Sequence, residues 1–247
     1  RIFNKLMKSD NSEIVELSIY QLANILEIKS QKESFILPIS NKIIENSFFN
    51  LKPFGYTNVN FESTELSKAI MMYDSLITNY NNSKAKFKIA EFKLMTNDDY
   101  LKSIDDFVEL EKSATSKDIK FESAVKVIDI HISNGDINDK LINKIDGYKK
   151  KYKKEHQTNL LDLKKYQVLF FLKDFEQLSS ELKEKLKVLD RDNPLYNEFL
   201  DGLTLMMLFH DMDDELSLFA DGLLEIKKSN SLDALEKFLL LNNSDMQ

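Results

Sequence analysis

Cysteine is absent from the 247-residue chain, and glycine and proline are scarce, with five and three copies. The lack of cysteine excludes disulfide bonds, thiolate catalysis and cysteine-ligated metals. Sheets and enzyme loops usually need more turn-forming residues than this, whereas helix pairs joined by short polar turns do not. Because 43% of the residues are hydrophobic, the chain has enough apolar side chains for a folded core. These proportions predict an all-α protein.

Long apolar runs and a net basic charge are lacking as well. The longest apolar run, residues 203–209 with Thr204 inside it, is far below the roughly 18 residues that a membrane-spanning helix needs. A formal net charge of −7 disfavours specific nucleic-acid binding, since phosphate backbones attract basic surfaces. The first residue is Arg1 rather than methionine, which predicts a fragment or a processed product and leaves an upstream signal peptide or lipid anchor open.

Motifs that mark the common enzyme classes are also missing. The chain contains no GxxxxGK[ST], GxGxxG, GxSxG or HExxH pattern, so we predict neither an enzyme nor a bound cofactor. One alternative stays open, because the segment from His210 to Asp214 offers an imidazole and several carboxylates to a divalent ion. Such a cluster would suit an all-helical metal-dependent hydrolase or cofactor-binding domain. The competing interpretation is an acidic turn in which Asp213 or Asp214 caps the next helix.

Apolar residues recur in this chain at an interval of 34 positions. The recurring residues are the pairs Phe87 and Phe121, Ala90 and Ala124, and Leu94 and Ile128, together with the series Ile39, Tyr73, Phe107 and Leu141. A fixed period of this length is typical of paired helices that bury their apolar faces only by stacking on neighbouring pairs.

Helical periodicity and capping residues predict where these helices lie. The expected helices cover residues 12–28 with Ser12 as N-cap, about 33–49, 66–80, 84–95, 100–110, 119–132, 160–172, 175–189, a helix from Asn193-Pro194 to about 210, 215–227 and 232–241. Gly135 is expected to stop one helix and Asp136 to cap the next. Pro53 and Gly55 predict an irregular loop at 52–63, and the lysine run at 149–154 is interpreted as a solvated helix end or a surface for phosphates and acidic lipids.

These features suggest three segments. Residues 1–63 would form degenerate N-terminal repeats that include the irregular loop, residues 64–151 the regular repeats, and residues 152–247 the C-terminal helical repeats.

The repeated residues resemble those of the tetratricopeptide repeat family. Small residues occur at the family's twentieth position in Ala69, Ser103 and Ala234, and Gly222 occupies the eighth position. The aromatic residue at position 24 is matched by Tyr73, Phe107 and Phe238. Residues 69–95 are especially similar to bacterial outer-membrane assembly lipoproteins and TolA-binding periplasmic proteins, although the turn at 80–83 lacks their proline. The resemblance implies a right-handed α-solenoid of antiparallel helix pairs.

The same resemblance implies a non-enzymatic scaffold, a subunit or adaptor of a larger bacterial cell-envelope assembly, and it favours the periplasm or envelope over the cytoplasm. Its ligand would be a protein or peptide held in the concave groove. The family's groove-lining positions fall here on Lys88, Phe92, Met95, Glu122, Lys126 and Asp129. Lys88 matches a family lysine that clamps a terminal carboxylate, but Phe92 replaces the accompanying asparagine. We expect Phe92 to be partly exposed as a groove anchor, and the loop at 53–60 to bind the partner if Phe92 is buried.

Overall fold

A computed structural model of the chain describes residues 2–33, 47–49, 63–96 and 102–244. Every regular element in those ranges is an α-helix, which confirms the all-α prediction. The helices are α1 (Ile2–Leu6), α2 (Ser12–Glu33), α3 (Thr64–Tyr80), α4 (Ser83–Thr96), α5 (Lys102–Ser113), α6 (Lys117–Asn134), α7 (Asp139–Lys151), α8 (Glu155–Leu172), α9 (Phe175–Val188), α10 (Tyr196–Leu208), α11 (Asp213–Lys227) and α12 (Ser231–Ser244). None of these described helices is long and apolar enough to cross a membrane.

Side-chain caps fix several of the helix ends. The start of α2 is capped by Asn11, whose Oδ1 accepts hydrogen bonds from the amides of Glu13 (2.9 Å) and Ile14 (3.3 Å), so the prediction of Ser12 as cap is wrong. Likewise Asn138, rather than Asp136, caps α7. In both cases an asparagine carbonyl oxygen reaches the free amides of the first turn. Gly135 has a φ of +78° and ends α6, as the sequence predicts.

Two compact units make up the chain. The first contains residues 1–41 and 55–124, and the second contains residues 42–54 and 125–247. Since α6 runs from Lys117 to Asn134, it contributes to both units. The division of the sequence into the three segments 1–63, 64–151 and 152–247 stays a prediction about repeats.

The described helices of the first unit pack against one another in chain order. There α2 packs against α3, α3 against α4, and α4 against α5.

The residues that recur every 34 positions are all buried wherever the structure describes them: Tyr73, Phe87, Ala90, Leu94, Phe107, Phe121, Ala124, Ile128 and Leu141. Ile39 lies outside the described residues. The repeat therefore identifies core positions correctly, each large apolar side chain contributing about 1.5–3 kcal/mol when buried.

Helix α8 forms the centre of the second unit. It contacts α7, α9 and α11, and its buried residues lie on all sides of the helix. A helix enclosed in this way has little amphipathic character, because no face remains for water. The contact between α8 and α11 joins helices that are three apart in sequence, an arrangement that a simple chain of stacked pairs does not require.

Residues 47–49 contribute to the second unit from far away in sequence. They form a turn, so the prediction of a helix over about 33–49 is wrong there, while residues 34–46 lie outside the described part. The Phe48 side chain is 3% exposed within the core. Its backbone is held on both sides, since its amide donates to Glu198 (2.8 Å) and its carbonyl accepts from Gln167 (3.1 Å). Gly202 lies beneath the ring, where an added Cβ would come within 2.9 Å of Phe48 Cε2.

Candidate functional site

The predicted groove residue Phe92 is buried. Only 4% of its surface is exposed, and its ring lies 6.1 Å from that of Tyr73, so the expectation of an exposed groove anchor is wrong. The reason is that α4 is enclosed on opposite sides: Phe92 joins the cluster of α2 and α3, while Phe87 contacts Phe107 of α5. The side chain of Met95 and the loop at 53–60 lie outside the described residues.

Lys88, the second predicted groove residue on α4, belongs to a buried ionic cluster. Its Nζ atom lies 3.1 Å from Oε1 of Glu27 on α2 and 3.5 Å from Oε2 of Glu91. Burial disfavours the charged lysine, but the carboxylates of Glu91 and Glu27 outweigh it and raise the pKa of Lys88. The Lys88 ammonium is therefore already paired with these two carboxylates.

A tyrosine completes this cluster. The hydroxyl of Tyr73 on α3 donates to Oε2 of Glu27 (2.9 Å) and is also 2.8 Å from Oδ1 of Asn24. Burial, reinforced by the nearby Glu27 carboxylate, raises the pKa of Tyr73 well above its ordinary value. The cluster thus ties α2, α3 and α4 together through satisfied polar groups, which favours a structural role over ligand binding.

The predicted groove residues on α6 are partly buried. Glu122 and Lys126 are half-buried and interact with other residues. The Oδ1 atom of Asp129 is 2.7 Å from Nζ of Lys164 on α8. Asp129 is therefore already occupied by an internal cation, and a binding role for Lys88, Met95, Glu122, Lys126 and Asp129 stays a prediction.

Two buried lysines lie around Asp129 in the second unit. Lys164 is 1% exposed and Lys227, in the last turn of α11, is 6% exposed. Burial is the main cause that lowers the pKa of Lys227 to about 8, repulsion from Lys164 lowers it further, and the attraction of Asp129 opposes both. Lys227 is thus a strongly perturbed lysine beside a second buried ammonium, which makes it a candidate for function.

The acidic turn before α11 is open to solvent. The ring of His210 contacts the carboxylate of its neighbour Asp211 at 2.7 Å, and the two side chains are 77% and 86% exposed. Asp213 and Asp214 lie in the first turn of α11, where carboxylates stabilise the helix, but Met212 is the N-cap, so the expected cap at Asp213 or Asp214 is wrong. Among the residues that the structure describes, no three His, Cys, Asp or Glu side chains come together as metal ligands.

Most of the lysine run at 149–154 is exposed at the end of a helix, in agreement with the interpretation of a solvated helix end. α7 ends at Lys151, and four lysines of the run are exposed: Lys150, Lys151, Lys153 and Lys154. The first of the run, Lys149, is half-buried and lies 2.5 Å from Oδ1 of Asp162.

A row of exposed leucines covers the outer side of α12. Their exposed fractions are 83% for Leu232, 54% for Leu235, 54% for Leu239 and 47% for Leu240. The opposite side of the helix packs on α11 through Ala234 and Phe238. We call the four leucines the α12 row, and no other described helix of the second unit carries as many exposed large hydrophobic residues.

Sequence reasoning missed both the buried lysines and the α12 row. Lys164 and Lys227 each precede another lysine, and those neighbours pair with glutamates, Lys165 with Glu181 and Lys228 with Glu225. Spacing alone does not tell which lysine of each pair is buried. The α12 leucines follow helical spacing, but apolar residues on both sides of α12 conceal which side is covered. Comparisons of the chain with protein-family models, curated proteins and solved structures find no match.

Proposed function

We propose that this chain is a non-enzymatic helical scaffold, of the tetratricopeptide-like kind, that binds a partner protein through the α12 row. The observation that carries the proposal is the exposure of four leucines on one side of a single helix. Leu232, Leu235 and Leu239 follow the i, i+3, i+7 spacing of a helix that pairs with another helix. Exposed apolar surface of this kind is typical of protein-binding sites.

The chemistry of the row defines the partner. Glu236 is exposed and lies one turn after Leu232 and one turn before Leu240, so a carboxylate is placed among the leucines. The partner is therefore an amphipathic helix with large aliphatic residues and a lysine or arginine opposite Glu236. Such a contact makes the chain a subunit or adaptor in an assembly.

Site-specific crosslinking tests this function. A photo-crosslinking residue at position 239 should capture the partner in the native cell, and the same residue at Val188, which is 82% exposed on α9, should not. The double substitution Leu235→Glu and Leu239→Glu should reduce capture from a position such as 232 by tenfold or more. It should leave the melting temperature nearly unchanged, because both side chains already face water.

The matched control replaces two exposed apolar residues outside the row, Val188→Glu and Met207→Glu, and should capture as the parent does. Equal capture by the parent and the row variant would refute the proposal. Exclusive crosslinking to a second copy of this chain would refute it too, because the row would then serve self-association.

A further inference from the structure

Lys227 is buried without a partner of its own. Its side chain is 6% exposed, and no hydrogen bond or ion pair connects it to another side chain in the part of the chain that the structure describes. An ammonium ion removed from water is strongly disfavoured unless a counter-charge lies beside it. The position of Lys227 therefore calls for an anionic group.

The nearby carboxylate of Asp129 does not supply a counter-charge to Lys227. Asp129 is bound by Lys164 at 2.7 Å, and Lys164 is itself almost completely buried. Electrostatically, the repulsion that Lys164 exerts on Lys227 exceeds the attraction of Asp129. Around Lys227 the balance of charge is positive.

A third buried polar group lies on the same helix as Asp129. Ser133 lies one helical turn after Asp129, on the same side of α6. Its hydroxyl is buried and forms no hydrogen bond with the described residues. Gly135, two residues later, is so close to the side chain of Lys228 that an added Cβ would lie 2.7 Å from Lys228 Cε. The residue after Lys227 therefore reaches the residue two positions after Ser133, within the second unit.

We propose that Lys164, Lys227 and Ser133 form a buried binding site for a small oxyanion, a phosphate or a carboxylate. The oxyanion would supply the counter-charge to Lys227 and accept hydrogen bonds from the ammonium groups and from the serine hydroxyl. Ammonium and hydroxyl donors suit separate oxygen atoms of a compact anion, since each can turn its hydrogens toward its acceptor.

Anion-dependent unfolding tests this site. Urea unfolding of the purified chain is followed at pH 7 and fixed ionic strength while chloride is replaced by inorganic phosphate or by acetate. A bound anion should raise the unfolding midpoint along a saturable curve that gives an apparent Kd. Lys227→Met should weaken that Kd by tenfold or more, and Ser133→Ala should weaken it several-fold. Lys187→Met removes the same charge from a pair on the surface of α9 and should leave the Kd unchanged.

The phosphate and acetate titrations identify the kind of anion, because a carboxylate site responds to acetate and a phosphate site responds to phosphate. Isothermal titration of the same anions into the folded parent gives a second reading that does not depend on how stable each variant is. An equal response of the parent and Lys227→Met in both methods would overturn the proposal. So would a parent that responds to neither anion beyond chloride, which would show that Lys227 is only a tolerated buried amine.

Discussion

Ala90 and Ala124 lie at core positions where the structure leaves no room for a charge. They are 1% and 0% exposed, and they are one repeat interval apart. We predict that Ala90→Asp or Ala124→Asp unfolds the chain, because a carboxylate desolvated without a partner costs several kcal/mol against a typical total stability of about 5–15 kcal/mol. Thermal unfolding followed by circular dichroism measures the effect. Met71→Asp on α3 is the control, since Met71 is 70% exposed; a melting temperature within a degree or two of the parent for either alanine variant would contradict the prediction.

Phe92 should behave as a core residue rather than as a ligand contact. We predict that Phe92→Ala lowers the free energy of unfolding by about 3–5 kcal/mol, the usual cost of truncating a buried phenylalanine. Phe87→Ala should have a similar effect, because Phe87 is 7% exposed on another side of α4. Urea denaturation measures both. The neighbouring Lys93→Ala, at a half-exposed side chain, should change stability by less than about 1 kcal/mol, and a Phe92→Ala variant as stable as Lys93→Ala would show that the ring is not buried.

Lys227 makes stability depend on pH in a direction that can be worked out. Its pKa of about 8 in the folded chain lies below the 10.5 of a free lysine, so between these values the unfolded chain binds more protons. Stability should therefore rise as pH increases from about 8 to 10.5, by at most about 3 kcal/mol from this residue. Below pH 8 the residue is charged in both states and the full cost of burying the charge is present.

The measurement is a series of urea unfolding curves in chloride buffers at pH 7, 8, 9 and 10. The parent should gain stability relative to Lys227→Met across this series, and the variant should be the more stable of the two at pH 7. The comparison with the variant matters because buried tyrosines such as Tyr73 act in the opposite direction near pH 10, since their pKa values are raised on folding. A constant difference between parent and variant at every pH would contradict the prediction.

At the scale of helices, the contact between α11 and α12 depends on a glycine. Gly222 lies so close to Phe238 that an added Cβ would come within 2.7 Å of two ring atoms. We predict that Gly222→Val destabilises the protein by about 1–3 kcal/mol, because the branched side chain overpacks the contact. Denaturant unfolding measures the loss. The second substitution Phe238→Leu should recover part of it by making room, and a double variant no more stable than Gly222→Val would show that the ring is not the cause.

The sequence predicted the positions of helices more accurately than it predicted which side of each helix is buried. Caps and periodicity located α3 and α11 within two residues, because local hydrogen bonds and turn residues fix helix ends. The prediction that Phe92 is partly exposed was wrong because α4 is apolar on opposite sides, and periodicity cannot then tell which side faces solvent. Gly222 and Ala234, which the resemblance assigns to small-residue positions of the repeat, are both buried in the second unit.

For the whole molecule, composition was enough to predict an all-α protein, but it could not assign segments to units. The charge clusters show why. Glu27 and Lys88 are 61 positions apart and meet inside the first unit, and Asp129 and Lys164 meet inside the second. No local pattern encodes such pairings, because they depend on how helices are brought together in space.

The place of residues 47–49 in the second unit has a consequence for synthesis of the protein. Gln167 and Glu198, which hold the backbone of this segment, follow Phe48 by 119 and 150 positions. A ribosome that adds about 5–20 residues per second needs roughly 8–30 seconds to reach Glu198 after Phe48 has been made. During that interval Phe48 has no finished core to enter, so the nascent chain carries an apolar turn that chaperones can recognise. Helices α8 and α10, which are made after this segment, therefore determine when Phe48 becomes protected.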